Sequence, residues 1–355
     1  MKIKKMLLLT MVVIMTGLCR NVPAAEKKPE RLSVDLAVKR AIAANTGIKN
    51  YDDNTKLSND SLKALKDELL NELDWAKCLS LLSRIMQAEA QMDVDGKENE
   101  SAKQNLTLSV TKFFAAVIKE EKSLELYDQN MLLEKKQLEI AKVKLGLGML
   151  SRYDYDNQVN ACKQKENERE AKVAAIEDAY VSLNKTMGSS VRNRYELMLE
   201  YEYETIGERN LSYDISNAIE LNTSIMSQQN KIDTINYNLE NYDDLELTES
   251  KESLEITREQ TYRAIADTKA NVEQKVIQSY NTIKSQETQY ETYLLKLESL
   301  NSQLVLKEKQ LELGKTTQLE VDKQKYSIAE QEESIRSLVV NHAINIIQFK
   351  MPNTL

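Results

Sequence analysis

Two pairs of carboxylates follow a glycine at matching places in this chain: Asp154 and Asp156 after Gly148, Glu320 and Asp322 after Gly314. Acidic residues just past a turn complement the partial positive charge of a helix N-terminus. Brought around one axis by several copies of the chain, the same groups would form an aperture that selects cations by charge. The two roles are compatible. His342 is the only histidine and sits in an apolar C-terminal stretch without a paired Cys or Asp, and reads as a packed or surface side chain rather than a ligand. No phosphate-binding loop, dinucleotide turn, zinc spacing or nucleophile elbow occurs. The many other carboxylates read as solvated helix faces, and most of the 16 tyrosines fall at packing positions. The chain is read as no enzyme, with no metal site and no cofactor.

The four acids are placed by a helical hairpin that occurs twice. Residues 309–326 read KQLELGKTTQLEVDKQKY, and residues 137–158 read QLEIAKVKLGLGMLSRYDYDNQ. Leu147/Leu313, Gly148/Gly314, Ser151/Thr317, Asp154/Glu320, Asp156/Asp322 and Gln158/Gln324 correspond without a gap, at a constant offset of 166. Each long patterned helix ends at its glycine, and a second begins with charged residues at its head. The halves also open alike: LSVDLAVKRAIAANTGI from Leu32 matches LSYDISNAIELNTSI from Leu211, with Ser33 placed to cap the first helix. A duplicated unit is the economical explanation.

Before each tip runs an arm with heptad spacing. Val276, Tyr280, Ile283, Glu287, Tyr290, Leu294, Leu297, Asn301, Leu304, Glu308 and Leu311 alternate in steps of four and three, and eight of these eleven are apolar or aromatic. The equivalent positions from Val110 to Leu145 carry seven. A 3.5-residue period sustained this long gives supercoiled helices. A second apolar flank, Tyr127/Tyr293, Ile140/Leu306 and Leu147/Leu313, implies neighbours on both sides. Residues 61–92 read as a further helix ending in an acidic turn at 92–99, with an equivalent turn at 241–244. From Tyr195 to Thr205, Tyr195, Leu197, Leu199, Tyr201 and Tyr203 alternate with Glu196, Met198, Glu200, Glu202 and Glu204, a period of two and the pattern of one extended strand. The organisation expected is a signal peptide (1–24), a first helical repeat (25–188), an extended connector (189–210) and a second repeat (211–355). The fold class is all-α: duplicated long coiled-coil hairpins with little or no β.

Composition agrees. In 355 residues there are only 8 Gly and 3 Pro, while charged residues reach 29%, the profile of long helices rather than a thick globular core. Lys2, Lys4 and Lys5 precede a thirteen-residue apolar run at 6–18 and small residues at 22–24, a secretory signal too short for a confident membrane span. Cys19 would admit lipidation, but the bulky Leu18 before it is a poor fit. Removing residues 1–24 takes away four cations (Lys2, Lys4, Lys5, Arg20) and no acid, moving the net charge from −8 to −12. Nucleic acid is thereby excluded as a partner, since its phosphates would be repelled. Cys78 and Cys162 would remain and read as free buried thiols rather than a disulfide framework.

On the two LS-opened helices and the two glycine tips, the chain resembles the TolC family of outer-membrane efflux proteins. The resemblance covers nearly the whole mature chain, duplication included. It implies a homotrimer whose helices form a tunnel, serving as exit duct for drug pumps or secretion and docking a periplasmic membrane-fusion adaptor through its tips. The docking residues would be Gly148, Met149, Leu150 and Ser151 with Gly314, Lys315, Thr316 and Thr317. The family's acidic gate position would fall on Glu320. A second gate acid falls on Lys323, leaving Asp322, with Asp154 and Asp156 in the other tip, as the remaining aperture candidates. Family members insert a β-hairpin in each half, where this chain has the stretches around 61–99 and 241–244. A reduced or absent membrane barrel is therefore expected, because backbone in lipid needs internal partners. Location is expected in the cell envelope, at the outer membrane by resemblance, and the rival reading is an exported structural or adhesive coiled-coil protein without transport.

Overall fold

The computed structural model describes residues 30–198, 201–245 and 247–354; the expected signal peptide and Cys19 lie outside them. The chain starts with strand β1 (Glu30–Ser33), then helices α1 (Val34–Ala44), α2 (Thr46–Asn71), α3 (Trp75–Gly146) and α4 (Arg152–Thr186). Strand β2 (Tyr195–Met198) opens the connector. The second half follows as α5 (Leu211–Glu220), α6 (Thr223–Glu240), α7 (Lys251–Glu312) and α8 (Gln318–Phe349), with a last 3-10 turn at Pro352–Thr354.

Capping residues set most of these boundaries. Ser33 caps α1 as expected, accepting from the Leu36 amide, while Asn45 and Asn222 cap α2 and α6 from equivalent places. α3 is 72 residues long, about 110 Å at 1.5 Å per residue. It packs on α4 on one side and α8 on the other, and α8 packs on α7. The four arms thus lie side by side in the order α4–α3–α8–α7. Lys136 of α3 meets Asp322 of α8 at 2.8 Å, only 12 residues before one tip glycine and 8 after the other. Both hairpins therefore turn at the same end of the molecule.

Each half has its own core. In the first, Leu32, Ala37 and Ala41 pack on Val110, Phe114 and Val117 of α3 and Leu183 of α4. In the second, Ala218 packs on Val272, Val276, Ile283 and Phe349. Ala41/Ala218, Val110/Val276 and Val117/Ile283 are repeat equivalents, so the duplication is a duplication of packing. Leu294 and Asn301 are exposed, with Tyr293 and Leu300 half-buried in their place. A straight helix at 3.6 residues per turn drifts about 20° per heptad from a 3.5 repeat.

Three expectations are corrected. The acidic stretch at 92–99 is not a turn but lies inside α3. The break comes earlier, at Glu72–Asp74, where the Glu72 carboxylate accepts from the Leu73 and Asp74 amides and Asp74 caps α3 through the Lys77 amide. Gly96 stays helical because one glycine costs only about 1 kcal/mol against a long hydrogen-bonded run. Second, the stretch from Leu32 to Ile48 is not one helix: Glu30–Ser33 is a strand, and α1 ends at Asn45, which caps α2. Third, the connector strand is not single: β1 pairs with it in parallel, from Glu30 beside Tyr195 to Ser33 beside Met198. That pairing buries Leu32 completely and supplies partners for an otherwise open edge. The turn expected at 241–244 is present after α6. Where the resemblance placed membrane β-hairpins, the chain has α2 running into α3 and the turn between α6 and α7. Cys78 and Cys162 are free and half-buried.

Candidate functional site

At each tip the helix stops in the same way. Gly148 at φ +70° and Gly314 at φ +68° adopt the left-handed conformation that side chains resist. The Gly148 amide donates to the Leu145 carbonyl and the Met149 amide to Lys144, and Gly314 and Lys315 repeat this onto Leu311 and Gln310. Such paired bonds satisfy carbonyls that a helix end leaves open. Ser151 and Thr317 then cap the returning helices, accepting from the Asp154 and Glu320 amides. The two glycine turns and the two caps account for both tips. Leu147, Met149 and Leu313 are left about 70% exposed there.

The four acids have different surroundings. Asp154 is exposed and bonded to its own cap, the Ser151 hydroxyl donating to it at 2.7 Å. Asp156 pairs with Arg152 at 3.0 Å and Glu320 with Lys323 at 3.2 Å, each within one helix turn. Asp322 reaches across to the other hairpin. It accepts from Lys136 and from Gln318, both at 2.8 Å. These two bonds, Lys136 first, hold its carboxyl below the usual carboxylate range. A little higher, Asn130 and Tyr326 line one groove along the same seam, the Tyr326 hydroxyl donating to Glu330. Acids at both helix starts were legible in the sequence. The Lys136–Asp322 bridge was not, because 186 residues separate its partners and no local pattern joins them.

A second cluster was also missed. Glu287, read only as a polar interruption of the heptads, is almost buried and accepts from the Ile206 amide and Lys284, both at 2.7 Å. Tyr203 of the connector stacks on Tyr290, ring centroids 3.7 Å apart, and leans on His342. His342 is indeed packed, 1% exposed, with its Nε2 at 3.7 Å from Glu287. A carboxylate on a seam and the sole histidine on the adjoining helix were the available signals. The cluster ties the connector across α7 and α8. Among the described residues, no group of His, Cys, Asp and Glu is arranged to hold a metal ion.

No protein-family model matches the sequence, and no curated protein does. Solved structures do match the fold. The CmeC outer membrane channel of Campylobacter jejuni aligns with 90% of this chain and 85% of its own, at 10% identity and a TM-score of 0.68. The MtrE outer membrane channel of Neisseria gonorrhoeae, in its open state, gives 90%, 88%, 11% and 0.65 for the same quantities. The outer membrane protein VceC of Vibrio cholerae gives 90%, 94%, 9% and 0.63. At such identities the likeness is one of architecture: this chain has the fold of these TolC-like outer-membrane channels over 90% of its length, with α2 and α3 around 61–99 and a turn at 241–244.

Proposed function

We propose that the chain is one protomer of a passive duct in the cell envelope, closed by three copies and serving efflux or secretion beside a membrane-fusion adaptor and an inner-membrane pump. The contact between halves carries this reading. α3 of the first half packs on α8 of the second, and shifting both by one repeat turns that contact into α7 of one copy against α4 of the next. A head-to-tail contact of this kind closes a ring when the rotation fits. Conduction needs no bond-making and no cofactor.

The tips are the working end in this reading. Exposed Leu147, Met149 and Leu313 around Gly148 and Gly314 offer the adaptor an apolar footing, flanked by Leu150, Ser151, Lys315, Thr316 and Thr317. Asp154, exposed in its first turn, and Glu320, half-buried beside Lys323, supply the fixed negative charge of the aperture. Asp322 is neutralised by Lys136 and clamps one hairpin to the other, so widening the aperture means parting that pair. Asp156, paired with Arg152, contributes least. Electron microscopy of the purified mature chain tests the reading: closed three-copy rings support it, and monomers or open filaments overturn it. In reconstituted rings, Glu320→Ala should lower cation selectivity. Unchanged selectivity would remove the aperture and leave the duct.

A further inference from the structure

The end opposite the tips is built from helices, and its outermost point is the turn between α2 and α3. Leu70 is 83% exposed there, Leu73 99% and Trp75 66%. Three large apolar side chains standing free on one convex turn are not explained by packing within the chain. Part of the turn's backbone already has partners: the Glu72 amide donates to Leu69, and the Leu73 and Asp74 amides donate to the Glu72 carboxylate at 3.0 Å each. Fewer amides are then left to lose water when such an apex enters a poorly hydrated layer. Trp and Leu are the side chains suited to a bilayer's interfacial zone, where one end is apolar and the other wet.

The surrounding charge narrows the surface. Asp67, Glu68, Glu72 and Asp74 outnumber Lys63, Lys66 and Lys77, and Lys66 is itself engaged by Glu89 at 2.7 Å. The turn after α6 lies at the same end, Tyr237 donating to the Leu79 carbonyl and Ser83 to Asn238. It adds Asp243, Asp244 and Glu249 against Lys251. An acidic rim is repelled by anionic lipid and complements the outward ammonium of phosphocholine or phosphoethanolamine headgroups. Among the described residues, no helix is long and apolar enough to cross a membrane, so the contact is superficial, of the order of 5–10 Å deep.

We propose that the α2–α3 apex is a membrane-interface foot: Leu70, Leu73 and Trp75 seat among the headgroups and upper acyl chains of a zwitterionic bilayer, and the acidic rim meets the headgroup ammonium. The foot requires neither conduction nor ring closure. Trp75 is the only tryptophan in the chain, so its fluorescence reports the site without labelling. The full chain is titrated with phosphatidylcholine vesicles, with the same vesicles carrying brominated acyl chains, and with vesicles enriched in phosphatidylglycerol. Expected are a blue shift and bromine quenching of Trp75 on phosphatidylcholine, weaker binding on the anionic vesicles at low salt, and about a tenfold or greater loss of binding in Leu70→Ser/Leu73→Ser. That variant changes only exposed side chains, and an unchanged helical circular-dichroism signal confirms its fold. An unmoved Trp75 signal, a preference for anionic lipid, or full binding by the variant each overturns the proposal. So does a Trp75 signal that becomes shielded with rising protein concentration alone, which would assign the apex to a second copy.

Discussion

His342 shows how a single side chain couples the connector to both long helices of the second hairpin. Its ring is buried against Tyr203, and the charged groups facing it are Glu287 and Lys284 of α7. Burial pushes its pKa below the usual histidine range, and the attraction of Glu287 offsets only part of that. Burial also pushes the Glu287 carboxyl up, but Lys284 and the Ile206 amide outweigh it and the net position is below normal. Both groups are therefore more acidic folded than unfolded, so acid favours the unfolded chain in both cases. The histidine contribution is intact above about pH 6.5 and is lost as pH falls through its lower folded value; the Glu287 contribution is intact above about 4.3 and is lost below that. Urea midpoints of the native chain should drop between about pH 7.5 and 5.5, and those of His342→Gln should stay level across that window. With no second histidine in the chain, a drop that persists in the variant would assign the effect elsewhere.

At the level of elements, three helix ends use a left-handed glycine, and they are not equally replaceable. At Gly148 and Gly314 a side chain would meet nothing within 4 Å, whereas at Gly188 (φ +63°) a Cβ would come within 2.4 Å of the Ala44 Cβ. Gly148→Ala should cost about 1 kcal/mol from backbone strain alone. Gly188→Ala adds overpacking where α4 ends against α1 and should cost about 2–4 kcal/mol, read as the difference in thermal or urea midpoints. Equal effects would show that the Ala44 approach is soft. Gly148 and Gly314 were legible as turns because helix period, glycine and the following Ser151 or Thr317 coincide in a few residues. The same local grammar failed at 92–99, where Gly96 among acids imitates a turn. The true break at Glu72–Asp74 has no glycine and depends on carboxylates folding back onto their own amides. β1 was invisible for another reason: four residues make a strand only when a partner from 165 positions away lies beside them. The candidate acids were legible one by one, but what each acid bonds to was not, since Lys136 reaches Asp322 only after both hairpins are folded.

For the whole molecule the question is what covers the outer arms, α4 and α7, each of which has another long arm on one side only. The internal seam supplies the template. Asn130 and Tyr326 line one groove between α3 and α8, and Lys136 meets Asp322 across the same pair; moved by one repeat of 166, these positions become Lys296 and Ser302 on α7 and Asn160 and Asp156 on α4. If the ring is built by repeating the internal contact, Lys296 of one copy lies beside Asn160 of the next. In a background with Cys78→Ser and Cys162→Ser, the pair Lys296→Cys with Asn160→Cys should therefore form disulfides between copies that stop at the trimer. Neither single cysteine should give the trimer, because each ring contact then lacks one sulfur. Non-reducing gels of the oxidised protein read the outcome directly. A ladder running past three would mean that the same contact propagates without closing, making a fibre of the coiled-coil kind rather than a duct. Absence of any link, with the fold intact by circular dichroism, would show that the outer arms do not reuse the seam between the halves.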